Sequence, residues 1–293
     1  MNAPQKTTKN KNNFSEFMIK LENLWLKGNF VCVGLDSDFS QIPQAVRNQG
    51  SIEQAMFEFN RSIIDATHDL VCAYKPNSAF YEAQGDQGLR ALAKTIKYIK
   101  DNYLSIPVIL DAKRADIGNT NDGYVKSAFD ELRVDAITVN PYLGKEALKP
   151  FLDRKDKGII VLARTSNPGA SEFQDLLVGE KQEPLYQVVA RNVAESWNDN
   201  NNCALVVGAT YPNELSKIRR IVGDMPILLP GIGAQGGDIE ATVRAGKDSR
   251  NMGMIINSSR GIIFASSGKD FAERARTATE QLRAEINKFA QIE

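Results

Sequence analysis

Eight short apolar runs, each followed by a longer segment of helical character, constrain the fold of this chain more than any other feature. The runs are rich in Val, Ile, Leu and Cys: Phe30 to Asp36, Leu70 to Lys75, Pro107 to Lys113, Val134 to Asn140, Gly158 to Arg164, Cys203 to Gly208, Pro226 to Pro230, and Gly253 to Ser258. Such continuous hydrophobicity is typical of parallel strands covered on both faces. Eight βα units within 293 residues predict a closed (β/α)8 barrel, the TIM-barrel architecture. An open, doubly wound sheet is the alternative.

The segment before the first run divides into a polar tail and an amphipathic helix. Residues 1–13 are polar and lack the apolar core of a secretion signal, so we predict a disordered tail. Apolar residues then recur at helical intervals, at Phe14, Phe17, Met18, Leu21, Leu24 and Trp25. They predict an extra N-terminal helix packed on the barrel. No linker follows, so we expect residues 14–293 to form a single catalytic domain.

Composition excludes several classes of partner. Basic and acidic residues balance at 36 each, which gives no reason to expect binding to nucleic acid or an anionic membrane. No run approaches the roughly 20 apolar residues of a membrane span. The three cysteines form no CxxC pair, which favours reduced, buried thiols in a cytoplasmic protein.

Charged residues stand at the ends of the first three predicted strands. The first ends at Asp36, the second at Lys75, and the third at Asp111 and Lys113, with Asp116 in the following turn. Barrel enzymes carry their reactive groups at these ends, and strand alternation puts Asp111 and Lys113 on one side. A structural ion pair at the barrel rim is the alternative. Because burying ions is costly, stability explains poorly why four charges converge at these strand ends, and we favour a function.

The loops after the seventh and eighth predicted strands have the composition of a phosphate site. The first loop, at positions 230–237, is rich in glycine, and its Gly233 and Gln235 can offer backbone and amide donors to an anion. Arg260 follows the next strand and adds a permanent charge. Barrels frequently bind phosphate with these two loops.

Missing motifs narrow the chemistry further. The only histidine, His68, lies in a helix-like segment far from any strand end, which argues against histidine triads and histidine-rich metal sites. No GxGxxG opening a helix and no GxxxxGK[ST] occurs. Lysines and carboxylates must therefore carry the reaction.

These residues resemble the orotidine 5'-phosphate decarboxylase family. Its signature Asp-x-Lys-x-x-Asp-Ile-x-x-Thr is present as Asp111, Lys113, Asp116, Ile117 and Thr120. The accompanying motifs are Gly-Leu-Asp ending at Asp36, Tyr-Lys-Pro-Asn around Lys75, Pro-Gly-Ile-Gly-Ala-Gln-Gly-Gly at 230–237, and Asn-Ser-Ser-Arg at 257–260. The last two resemble the longer bacterial branch, and the similarity covers nearly the whole chain after the tail.

The resemblance implies metal- and cofactor-independent decarboxylation of orotidine 5'-phosphate to UMP and CO2, in de novo pyrimidine biosynthesis. It implies a Lys-Asp-Lys-Asp array in which Lys113 stabilises and protonates the C6 carbanion and Asp116 comes from the partner of a homodimer with shared active sites. The array would be Lys75, Asp111, Lys113 and Asp116. The implied substrate contacts are Asp36 and Lys75 at the ribose, Thr120 at the ribose across the interface, Gln235 and Arg260 at the phosphate, and Ser166, or its neighbour Thr165, at the pyrimidine edge.

Three rival functions share parts of this pattern. A Mg²⁺-dependent sugar-phosphate decarboxylase or aldolase also uses Asp-x-Lys-x-x-Asp, although Lys75 favours the metal-independent reaction. A Schiff-base aldolase would need a neutral amine, which a lysine between carboxylates supplies poorly. A catalytically silent phosphate-binding barrel predicts the loss of at least one charged position, and none is lost.

Overall fold

The computed structural model describes residues 14–232 and 238–291. Within them, eight parallel strands form one sheet: β1 Val31–Leu35, β2 Val71–Pro76, β3 Ile109–Arg114, β4 Ala136–Val139, β5 Gly158–Arg164, β6 Cys203–Val207, β7 Ile227–Pro230 and β8 Met254–Ser258. Each strand coincides with one of the predicted runs, with ends that differ by at most two residues. The predicted barrel is confirmed, and the open-sheet alternative is wrong.

The sheet closes on itself. Neighbours pair in the order β2-β1-β8-β7-β6-β5-β4-β3. The remaining gap, between β2 and β3, is bridged by the parallel pairs Tyr74↔Val108 and Asn77↔Asp111. The Tyr74 backbone N–H also donates to the Pro107 carbonyl at 3.1 Å. All C-terminal strand ends therefore meet at one rim, where the charged residues of the first three strands are gathered.

Helices cover the outside of the barrel. They are α1 Glu16–Trp25, α2 Gln44–Arg47, α3 Ile52–Thr67, α4 Ser78–Glu82, α5 Gly85–Asn102, α6 Gly118–Val125, α7 Gly144–Leu152, α8 Leu185–Asn192, α9 Pro212–Val222, α10 Ile239–Gly246, α11 Arg260–Ile263 and α12 Phe271–Ala290. π-Helical turns at Lys126–Glu131 and Val193–Trp197 extend α6 and α8, and 3-10 turns occur at Phe39–Gln41, Pro141–Leu143 and Pro168–Glu172. After β5, Leu177–Val178 pairs with Glu183–Pro184 in a short hairpin.

The predicted N-terminal helix is confirmed as α1. Ser15 caps it by accepting from the Met18 N–H at 3.2 Å, and the predicted apolar stripe from Phe17 to Trp25 is buried. Gly158, which begins β5, leaves room for this helix, because a Cβ there would lie 2.2 Å from the Phe17 ring. The helix therefore packs against the N-terminal end of the barrel. The tail predicted at residues 1–13 lies outside the described residues.

Three further observations bear on the composition arguments. Over 14–232 and 238–291, no helix is both long and apolar enough to cross a membrane. Cys32, Cys72 and Cys203 are buried free thiols, as expected. His68 follows directly on the last residue of α3, far from the strand ends that carry the charged array.

Candidate active site

Asp36, Lys75, Asp111 and Lys113 meet at the C-terminal rim as a chain of alternating charges. The Lys75 ammonium lies 2.8 Å from Asp111 Oδ2 and 3.8 Å from Asp36 Oδ1. The Lys113 ammonium lies 2.6 Å from Asp111 Oδ1. Asp111 is thus held between two lysines, and Lys75 between two carboxylates. Three of the four predicted members of the Lys-Asp-Lys-Asp array, and the predicted ribose ligand Asp36, are brought together.

Lys75 and Lys113, the two lysines among these alternating charges, differ in burial. The Lys75 side chain is only 3% exposed, whereas Lys113 is 47% exposed. Burial alone would lower the pKa of Lys75, but the Asp36 and Asp111 carboxylates outweigh it and raise that pKa. Burial would likewise raise the pKa of Asp111, yet Lys75 and Lys113 hold it well below its usual range. Lys75 therefore stays protonated, and Asp111 stays ionised, at neutral pH.

The backbone at Lys113 departs from regular strand geometry. Lys113 has a φ of 47°, in the left-handed region that non-glycine residues rarely adopt. Along β3 the pairing with β4 shifts between Leu110 and Arg114. The Asp111 and Lys113 side chains meet on one side of β3, as predicted, but an irregularity in the strand brings them together rather than simple alternation. The Thr138 hydroxyl on β4 contacts both, donating to Asp111 Oδ1 at 2.9 Å and accepting from the Lys113 N–H at 3.0 Å.

A cavity of about 140 Å³ opens beside the charged chain. Its lining residues come from the ends of β1, β2, β3, β7 and β8: Asp36, Lys75, Asp111, Pro230, Gly231, Ile232, Asn257, Ser259 and Arg260. Two buried acceptors, Asp36 Oδ1 and Asn257 Oδ1, receive no hydrogen bond from any described residue. A ligand with hydroxyl donors would satisfy both, and Arg260 supplies the charge for an anionic group.

Gly34 on β1 shapes one wall of this cavity. A Cβ at this position would lie 1.9 Å from Ser259 Oγ and 3.2 Å from Asn257 Oδ1. The absent side chain therefore lets the end of β8 approach β1 closely. Substitution of Gly34 by alanine would displace both polar side chains.

Asp116 and Thr120 lie apart from the cavity of their own chain. Asp116 forms no ion pair with any described residue and instead starts the turn after β3, where its Oδ1 accepts from the Ile117 N–H at 2.7 Å. Thr120 is exposed in the first turn of α6. One chain therefore does not bring the fourth predicted array member to the other three. Gly233 and Gln235, the predicted phosphate donors, lie outside the described residues.

Ser166, the predicted pyrimidine contact, lies in a braced segment after β5. The Arg164 guanidinium is paired with Asp175 at 2.9 Å and lies over the Tyr211 ring at 4.3 Å. Gln174 accepts from the Thr165 N–H at 2.8 Å. Ser166 is half-buried and packs on Gly208, where a Cβ would lie 2.8 Å from it. Ser166 is not among the residues that line the described cavity.

Comparison with known proteins agrees with this geometry. Residues 29–275 match the model of the orotidine 5'-phosphate decarboxylase / HUMPS family. The chain belongs to this family. It is 50% identical over 272 residues to the orotidine 5'-phosphate decarboxylase of Cellvibrio japonicus, covering 92% of this chain and 98% of that protein.

Solved structures of this family have the same fold. The OMP decarboxylase of Leishmania donovani is 37% identical with a TM-score of 0.81, covering 94% of this chain and 98% of that one. The UMP synthase of the same organism is 39% identical with a TM-score of 0.83, covering 94% of this chain. This chain spans only 57% of that longer protein.

Three residues of this family member's site were missed by the sequence analysis. Asn257 and Ser259 were read only as parts of a motif that ends in Arg260, although both line the cavity. Thr138 carries no sequence signal, because a threonine inside an apolar strand has the ordinary propensity of a strand residue. The polar residues at an inward-facing strand end were the available clue for Asn257, which follows two isoleucines on β8.

Proposed function

We propose that this chain decarboxylates orotidine 5'-phosphate to UMP and CO2, as a step of de novo pyrimidine biosynthesis. The observation that carries the proposal is the alternating Asp36-Lys75-Asp111-Lys113 chain beside a cavity that also presents Arg260. The relatives named orotidine 5'-phosphate decarboxylase, which match almost their whole length, support the same substrate.

Lys113 is the residue that stabilises and protonates the reacting carbon. Loss of CO2 breaks the bond to C6 and leaves its electron pair in the ring plane, where the π system delocalises it poorly. The Lys113 ammonium stabilises this pair and transfers one proton to C6, and solvent then restores the ammonium. Asp111 orients Lys113 through the 2.6 Å contact and places a negative charge where the substrate carboxylate leaves.

The remaining side chains bind the parts of the substrate that do not react. Asp36 and Lys75 take the ribose hydroxyls, which would satisfy the buried Asp36 Oδ1. Arg260, with Gly233 and Gln235, takes the phosphate, and Ser166 takes the pyrimidine edge. Binding energy from the phosphate is then available to organise the charged chain around the reacting carbon.

The reaction proceeds without a metal or cofactor. In the metal-dependent rival, carboxylates at these strand ends would hold a divalent cation. Here the Lys75 ammonium already lies between Asp36 and Asp111, at 3.8 and 2.8 Å, and supplies the positive charge itself. Among the described residues, no group of three His, Cys, Asp or Glu side chains is placed to bind a metal.

The assay that tests the function follows the absorbance of orotidine 5'-phosphate. We expect turnover by the wild type that survives treatment with a chelator, and a loss of about 10³-fold or more in Lys113→Ala. Lys97→Ala is the matched control, because Lys97 is an exposed lysine on α5 whose one ion pair among the described residues is with Asp101. A wild-type protein without turnover would contradict the proposal, and chelator-sensitive turnover would contradict its metal independence.

We further propose a homodimer in which Asp116 and Thr120 complete the partner's site. Asp116 lacks an ion pair among the described residues of its own chain, and the adjacent loops after β3 and β4 expose large apolar side chains at Ile117, Tyr142 and Leu143. Tyr142 is 86% exposed, an unusual state for a large aromatic residue unless a partner covers it.

Subunit complementation tests the shared site. Lys113→Ala and Asp116→Ala should each be inactive, and mixing them should restore about a quarter of the wild-type activity, because half of the dimers are mixed and each has one intact site. The control is Lys113→Ala mixed with Asp111→Asn. One subunit supplies both Asp111 and Lys113 to a given site, so every site in a mixed dimer still carries one of the two changes. No recovery in the first mixture would contradict the dimer.

Two broader expectations complete the proposal. Residues 14–293 would act as one catalytic domain, with nucleotide as its ligand rather than nucleic acid or membrane. The enzyme would work in the cytoplasm, as the buried free thiols of Cys32, Cys72 and Cys203 suggest, since reducing compartments preserve such thiols.

A further inference from the structure

Thr138 connects the two central residues of the charged chain through one hydroxyl group. Its side chain is fully buried in β4. The hydroxyl donates its proton to Asp111 Oδ1 at 2.9 Å and accepts the Lys113 backbone N–H at 3.0 Å. A threonine hydroxyl has one proton to give, so the contact with Asp111 uses its whole donor capacity.

The position of Thr138 in the sheet explains why a side chain is needed there. Regular pairing of β3 with β4 stops after Leu110↔Ile137 and resumes at Arg114↔Val139. Four steps along β3 therefore correspond to two steps along β4, and Thr138 is the one β4 residue opposite this stretch. The Lys113 N–H is bonded by the Thr138 side chain instead of a backbone carbonyl.

The same contact supports an unfavourable backbone conformation. Lys113 has a φ of 47°, and such conformations persist only where the surroundings hold them. The bond from the Lys113 N–H to Thr138 is one such restraint, and the bond between the Lys113 ammonium and Asp111 Oδ1 is a second. The first restraint requires the Thr138 hydroxyl, and the second requires the Asp111 carboxylate to which that hydroxyl donates.

We propose that Thr138 is a positioning residue for the decarboxylation, whose hydroxyl fixes the Asp111 carboxylate and the Lys113 backbone so that the Lys113 ammonium reaches the reacting carbon. The inference rests on the proposed function. Thr138 itself is not among the residues that line the cavity, so it acts through its neighbours. A purely structural hydroxyl would instead affect the stability of the fold and leave turnover of the folded enzyme unchanged.

Thr138→Val tests the proposal, because valine keeps the branched shape and removes the hydroxyl. We expect kcat on orotidine 5'-phosphate to fall by about 10- to 100-fold while KM changes little. Thr138→Ser, which retains the hydroxyl, should recover most of the lost kcat. The dissociation constant of UMP, measured by calorimetry, should stay within about 3-fold of the wild type, since Thr138 is not among the residues that line the cavity.

Thr279→Val is the matched control. Thr279 is fully buried in α12, and its hydroxyl donates to the Ala275 carbonyl at 2.7 Å, so the change removes an equally buried hydroxyl that neither lines the cavity nor contacts the charged chain. We expect its kcat to equal that of the wild type. A Thr138→Val protein with wild-type kcat, or a Thr138→Ser protein as slow as Thr138→Val, would overturn the proposal.

A second pair of variants covers the case in which Thr138→Val does not fold. Thr138→Ser and Thr138→Ala differ by a single oxygen atom, and the serine variant should be faster by about 10-fold or more. Equal kcat values in this pair would overturn the positioning role. Failure of the proposed function looks different, because the wild type and the Thr279→Val control would then also leave orotidine 5'-phosphate unchanged.

Discussion

The barrel contains two clusters in which one aspartate lies between two lysines, and they stand at opposite ends of it. Asp111, at the C-terminal end of β3, contacts Lys75 and Lys113. Asp135, just before the start of β4, contacts Lys20 and Lys100 at 2.7 and 2.8 Å. The same three groups at nearly the same distances therefore occur once beside a cavity and once at the base of the fold.

The surroundings of the two clusters differ. Asp135 Oδ2 also accepts from the Val108 N–H at 2.9 Å, so this carboxylate links α1, α5 and the residue that immediately precedes β3. The Asp111 cluster extends to Asp36, borders the cavity, and includes a left-handed backbone at Lys113. A charge motif alone thus fails to identify a catalytic site. Its position at the C-terminal rim and the acceptor left for a ligand are what distinguish it.

The two clusters should differ most in how a change of their aspartate affects turnover. We expect Asp111→Asn to lower kcat on orotidine 5'-phosphate by about 10³-fold, because Lys113 loses the carboxylate that orients it. The free energy of unfolding should change less, since Lys75 keeps Asp36 and Lys113 is half-exposed. Steady-state kinetics and urea unfolding measure the two quantities. An active Asp111→Asn protein would remove the functional distinction between the clusters.

Removing the charge of Asp135 should instead affect the stability of the fold. We expect Asp135→Asn to lower the free energy of unfolding by about 3 kcal/mol, because Lys20 and Lys100 lose the carboxylate with which both are paired. The kcat of the folded protein should match that of the wild type. Urea unfolding beside a kinetic assay checks both, with Asp130→Asn as a control, since Asp130 forms an exposed pair with Arg154. A stable but slow Asp135→Asn protein would contradict the assignment.

The sequence predicted the strands of this barrel well, because parallel strands buried on both faces require continuous apolar runs. It also predicted Asp36, Lys75, Asp111 and Lys113, which interrupt such runs at their ends. Asp135 was not singled out, since its run was read as a strand that begins at Val134, and only the packing of α1 and α5 brings Lys20 and Lys100 to it.

Other parts of the site depend on three-dimensional contacts that no local pattern contains. The left-handed backbone at Lys113 arises from the mismatch between β3 and β4, whereas alternation predicts a regular strand there. The short hairpin after β5 was likewise not predicted, because strands of two residues are too short to show a period. The mismatch at Lys113 is a contact between two barrel strands, whereas the hairpin is a local pairing of Leu177–Val178 with Glu183–Pro184 outside the barrel sheet.

The smallest expected effect is a pH dependence in the stability that the Asp135 cluster contributes. Burial alone would raise the pKa of Asp135, but Lys100 and Lys20 outweigh it and lower that pKa. A carboxylate whose pKa is lower in the folded state contributes stability that is fully present above its unfolded pKa, about 4, and that is lost as the pH falls through the folded value. Asparagine does not titrate, so the gap in unfolding free energy between wild type and Asp135→Asn should narrow below about pH 4.

Unfolding by urea at a series of pH values between neutral and strongly acidic measures this gap. The other titrating carboxylates are present in both proteins, so their contributions cancel in the difference. Asp130→Asn again serves as the control, with a difference from the wild type that stays near zero at every pH. A gap for Asp135→Asn that stays constant into acid would mean that the lysines at the base do not depend on the charge of Asp135, and that shape alone makes this cluster structural.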